Sequence, residues 1–77
     1  MTRVSGRTHA GGTVSVIMRF EEAGRTYYTP QFAPPSKVPV TGRRKTEAEA
    51  QAEADQIMAA NGHVCGGGCS PWAPISN

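Results

Sequence analysis

Residues 13–32, TVSVIMRFEEAGRTYYTPQF, decide the fold. The first eight, 13–20, are rich in β-branched residues and make the best strand in the chain. EEAGR, 21–25, supplies a turn in which Gly24 can take a positive φ. RTYYTPQF, 25–32, is the returning strand. Its Pro30 has no N–H for a ladder, so the strand lies at an edge or ends there. The stretch reads as a β-hairpin.

Working outward, APPSKVPVTGRR, 33–44, reads as an extended loop with a short third strand available at Lys37–Thr41. Proline confines any such strand to an edge. Thr46 then opens the one clear helix, 46–60. Thr46 and Glu49 have the capping-box spacing T-x-x-E. Glu47 and Glu49 also suit the positive end of the helix dipole. Ala50, Ala54, Ile57 and Met58 fall at i, i+4, i+7 and i+8, an apolar stripe of mostly small side chains. Glu49, Glu53 and Gln56 are read as a second, partner-facing side. Asn61-Gly62 is a helix stop. Residues 1–12 are polar and glycine-rich and read as a flexible arm; 63–77 read as a Gly/Pro/Cys tail around a single anchor, Trp72. The expected architecture is α+β: one domain over 13–62, a two- or three-stranded antiparallel sheet covered by one helix.

Seventy-seven residues make a small domain. A chain of this length buries only about 60–65% of its unfolded surface, so a metal, a disulfide or a partner would help hold it. No apolar run reaches membrane-spanning length. MTRVSGRTHAGG contains no apolar signal core, so a reducing cytoplasm is the expected compartment.

Charge is unevenly placed. Residues 1–45 carry all eight basic side chains against Glu21 and Glu22, a net of +6. Residues 46–77 carry four acids and no Lys or Arg, a net of −4. Such asymmetry suits polyanion contact, an acidic protein partner, or simply two solvated faces. Arg19, Arg25, Arg43, Arg44 and Lys45 form the basic set. Tyr27 and Tyr28 are adjacent in a strand, so they point to opposite faces. One belongs to the core, and the other, taken as Tyr28, can stack on a base or a protein surface.

HVCGGGCSPW, 63–72, places a histidine and two cysteines within seven positions. His63, Cys65 and Cys69 are three of the four ligands a structural zinc needs, and His9 in the arm is the available fourth. The alternatives are a strained Cys65–Cys69 disulfide and two free thiols. The pattern demands no cofactor, and zinc is the one it can accommodate. The glycines are no phosphate loop, because the helix precedes them. No hydrolase triad is legible, so the chain reads as a non-enzyme.

TVSVIMRF, RTYYTPQF and GRRKTEAEAQAEADQI together resemble the arm-type, AP2-like N-terminal DNA-binding domain of phage tyrosine integrases. That resemblance implies a sheet that enters the major groove, braced by the helix, with Arg19, Arg25, Tyr28 and Arg43 as contacts. In size and style the chain also resembles small phage accessory proteins, anti-CRISPR proteins among them. This resemblance implies a phage-encoded inhibitor that binds a host protein of a nucleic-acid machine. The expected function is therefore inhibition or modulation of such a protein, with direct duplex-DNA binding and a zinc-stapled structural module as the alternatives.

Overall fold

A computed structural model of the chain describes residues 2–40, 43–63 and 68–75. Strands β1 (Thr2–Thr8), β2 (Val14–Glu22) and β3 (Arg25–Ala33) precede helix α1 (Glu47–Ala60), and the short strand β4 (Ala73–Pro74) follows it. The strands form one antiparallel sheet in the order β3-β2-β1-β4. The α+β class holds, and the helix covers one face.

The β2–β3 hairpin forms as its sequence dictates. Ala23 and Gly24 both take positive φ, 54° and 75°, which is the two-residue turn whose twist matches paired strands. Glu22 then faces Arg25, Phe20 faces Tyr27, and Ile17 faces Pro30. Alternation sends Ser15 and Ile17 of β2 toward the helix, together with Tyr28, Pro30 and Phe32 of β3. Val14, Val16, Met18 and Phe20 share the other face with Tyr27.

Two expectations about the strands are corrected. Residues 2–12 are not a loose arm, because they supply β1 and a turn. β3 occupies only one edge of β2, and β1 pairs with the other from Thr2↔Arg19 to Thr8↔Val14. A register shift between Arg3 and Ser5 lets Val4 pack on the core. Gly11 and Gly12, at φ 93° and 94°, close the return into β2. The His9 N–H donates to Thr13 O at 2.7 Å across that turn. The second correction concerns Lys37–Thr41: residues 37–40 form no strand, and Thr41 lies outside the described residues. Instead Asn61 ties the loop to the helix end. Its Nδ2 donates to Ser36 Oγ at 2.7 Å, and its Oδ1 accepts from Lys37 N at 3.1 Å.

The tail is also built into the fold. The Ser70 N–H donates to Thr8 O at 2.8 Å, the Ile75 N–H donates to Val4 O at 3.1 Å, and β4 pairs with Ser5 and Gly6. Trp72 packs on the core, and its Nε1 donates to Asp55 Oδ2 at 3.3 Å. The other carboxylate oxygen of Asp55 accepts from Arg7 at 2.9 Å, so one helix side chain holds both β1 and the tail.

Helix α1 begins at Thr46, whose Oγ accepts from Glu49 N at 3.2 Å. Ala50 and Ala54 are fully buried beside Ile17, and Ile57 and Met58 complete the stripe. Small residues on both layers, with Ser5 and Ser15 beneath the helix, allow close approach. Glu53 lies within this stripe and is buried, which corrects its assignment to a partner-facing side. Positions 50, 53, 54, 57 and 58 are one helical face, and Arg44 compensates the charge at 2.5 Å. The helix ends in a Schellman pattern. Gly62, at φ 87°, donates to Ala59 O, and the His63 N–H returns to Met58 O at 3.0 Å.

Candidate functional site

Two features stand out: a histidine–cysteine cluster at one end of the helix layer, and the sheet face that the helix leaves open. The cluster joins three segments. His9 leaves the end of β1, His63 is placed by the helix-terminating turn, and Cys69 is held by the tail's bonds to Thr8. Their ligand atoms all lie within 4.8 Å of one another. Cys69 Sγ is 3.1 Å from His63 Nε2 and 3.5 Å from His9 Nδ1. The two imidazoles meet edge to face, with centroids 4.9 Å apart.

Neighbouring groups orient the cluster. His9 is buried at 2% exposure, and its Nε2 is 2.6 Å from Ser15 Oγ, which turns Nδ1 toward the sulfur. The Ala10 N–H donates to Cys69 Sγ at 3.4 Å. Burial lowers the pKa of His9, and the charges of His63 and Arg7 add to the effect, against a smaller opposing pull from Asp55. Cys69 is disulfide-bonded. In that state the sulfur accepts N–H donors but is not a thiolate ligand. Cys65 lies outside the described residues. The structure thus brings together His9, His63 and Cys69 of the expected metal set.

The open sheet face is lined along β2 by Val14, Val16, Met18 and Phe20, each half-buried. A groove of about 370 Å³ runs past Arg3, Val16, Met18, Gln31 and Ala33. Phe20 and Tyr27 pair with centroids 5.8 Å apart, and the Arg43 guanidinium stands 5.4 Å above the Tyr27 ring. Glu22 forms an ion pair with Arg43 and holds its pKa above the ordinary value. Arg3, Arg25 and Arg43 therefore rim a face with aromatic and apolar side chains at its centre.

The expected contact residues are divided by this geometry. Arg25 and Arg43 belong to the open face. Tyr28 does not: it packs on the core opposite Arg19, and Tyr27 is the tyrosine of the open face. The parity of β3 against the helix decides between them. Arg19 is exposed and shares the parity of Ile17, on the helix side. Arg44 pairs with Glu53, and its backbone bonds that of Tyr28. Lys45, Glu49 and Gln56 are exposed. Among the described residues Arg19, Arg25 and Lys45 enter no salt bridge.

Sequence reasoning missed Ser15, which orients His9, and the Arg7–Asp55–Trp72 tie. Ser15 had a signal, since it is a polar residue at an inward position between Val14 and Val16. Arg7 and Asp55 had none, because they are 48 residues apart.

No family model, curated protein or solved structure matches the chain. Among the described residues no helix is long and apolar enough to cross a membrane.

Proposed function

We propose that this chain is a non-enzymatic binding protein that works through the open face of its sheet, and that duplex DNA is the partner this face suits best. The observation that carries the reading is a sheet braced by one helix on one side, with Arg3, Arg25 and Arg43 around Tyr27 and Phe20 on the other. Guanidinium groups neutralise phosphates and release counterions, and apolar side chains between them meet base edges and thymine methyls. The resemblance to integrase arm domains implies DNA contact by a helix-braced sheet through Arg19, Arg25, Tyr28 and Arg43; of these Arg25 and Arg43 lie on the open face, whereas Tyr28 packs on the core. Arg7, Arg43 and Arg44 are engaged in internal ion pairs, which lowers the charge they offer to phosphates.

The test is fluorescence anisotropy of a labelled duplex across a salt series. Three phosphate contacts give a slope of about −3 in log K against log salt. Arg3→Ala and Arg25→Ala should each lower that slope by about 1. No affinity at low salt, or affinity indifferent to both substitutions, removes the reading.

One observation favours a second reading. The continuous stripe Val14, Val16, Met18 and Phe20 suits a protein groove with an acidic rim. On this reading the chain inhibits or modulates a host protein that handles nucleic acid. It then forms a stoichiometric complex whose salt dependence is weaker than that of DNA binding, and which Met18→Glu abolishes. A complex that survives Met18→Glu excludes the open face as its interface.

A further inference from the structure

The geometry points to a zinc site formed by His9 Nδ1, His63 Nε2 and Cys69 Sγ once Cys69 is reduced. Tetrahedral zinc, with bonds of about 2.0–2.1 Å to nitrogen and 2.3 Å to sulfur, sets its nitrogen and sulfur ligands roughly 3.5 Å apart. The two nitrogen–sulfur distances here are 3.1 and 3.5 Å, close to that spacing, and all three ligand atoms lie within 4.8 Å of one another. Two imidazoles and one thiolate are a borderline-soft set that suits zinc rather than magnesium or calcium.

Surrounding groups are those a metal site uses. Ser15 at His9 Nε2 fixes the ring orientation and leaves Nδ1 for the ion. The Ala10 N–H points at the sulfur, where it would stabilise a thiolate. A cleft of about 220 Å³ lined by Arg7, His9, Asp55, Met58 and His63 opens beside the histidines. Gly68 allows the tail to come this close, because a Cβ there would lie 2.9 Å from Ala10 Cβ. Zinc would then tie the ends of β1, the helix and the tail together, on the helix side of the sheet and away from the face that binds the partner.

Zinc and the disulfide exclude each other. A dithiol reductant supplies two electrons and two protons, opens the disulfide to two thiols, and is itself oxidised to a cyclic disulfide. Zinc then displaces the Cys69 thiol proton to solvent and forms the Zn–S bond, with no further redox change. The oxidised chain lacks the thiolate and so lacks the site.

The experiment is native mass spectrometry of the full chain with added zinc, reduced and oxidised, beside cobalt absorption spectroscopy of the reduced form. One zinc on the reduced chain and none on the oxidised chain is the expected result. Cobalt should give a thiolate charge-transfer band that Cys69→Ser removes. His9 is buried and its replacement risks the fold, so His63→Ala, checked by circular dichroism, is the second variant. It should lose the one-to-one zinc complex while the circular dichroism spectrum is retained. A reduced chain that takes up no zinc overturns the site. So does zinc uptake that neither Cys69→Ser nor His63→Ala weakens.

Discussion

Ser70 and Thr8, 62 residues apart, bind each other through both backbone and side chain. Ser70 N donates to Thr8 O at 2.8 Å, and Ser70 Oγ accepts from Thr8 N at 2.9 Å. The hydroxyl also donates to Thr8 O at 3.2 Å, and Arg7 Nε donates to Ser70 O at 2.8 Å. This lacing makes β1 an interior strand of the sheet, with the tail as its outer neighbour.

Trp72 should accordingly be a stability residue. It is half-buried against the core and donates to Asp55. Trp72→Ala should cost about 2–3 kcal/mol, below the value for a fully buried tryptophan. Urea denaturation followed by far-UV circular dichroism measures this without relying on the tryptophan signal. An unchanged midpoint would mean that the tail does not contribute to the cooperative unit.

The Arg44–Glu53 pair should respond asymmetrically. Glu53 is 8% exposed, and its Oε1 has no hydrogen-bond partner among the described residues, whereas the Arg44 side chain is 41% exposed. Arg44→Ala strands a buried carboxylate and should cost about 1–3 kcal/mol. Glu53→Met leaves a guanidinium that water can solvate and adds an apolar side chain to the helix stripe. It should be neutral or stabilising by up to about 1 kcal/mol. Equal losses in the two variants, measured by denaturation, would contradict this assignment.

The hairpin turn contains a correctable strain. Ala23 sits at φ 54°, where Asn is tolerated far better. Ala23→Asn creates the Asn-Gly turn and should stabilise the fold by about 0.5–1 kcal/mol, seen as a higher thermal midpoint. A lower midpoint would show that the turn adopts another geometry in solution.

The helix start is the fourth test. Thr46 Oγ accepts from Glu49 N and donates to Glu49 Oε1 at 3.0 Å. Thr46→Ala should cost about 1 kcal/mol, and Thr46→Ser or Thr46→Asp should restore most of it. Failure of both replacements to rescue would place the loss elsewhere than the cap.

What the sequence determined by itself is local. The hairpin over 13–32, its turn at Ala23-Gly24, the cap at Thr46 and the stop at Asn61-Gly62 each depend on neighbours within about four residues, where backbone preference and short hydrogen bonds decide. It also named His9, His63, Cys65 and Cys69 as potential ligands by residue type, and put Tyr27 and Tyr28 on opposite faces. Tertiary structure decided the rest. TRVSGRT carries little apolar pattern, and it becomes β1 because the free edge of β2 needs a hydrogen-bonding partner. Which tyrosine is inside follows from where the helix docks, and Glu53 is buried because Arg44 reaches it. The meeting of His9 and Cys69, 60 residues apart, depends on the register of β1 and on the tail's bonds to Thr8. No local preference encodes such a contact, because it exists only when the whole sheet has been laid down and the helix has closed over one side of it.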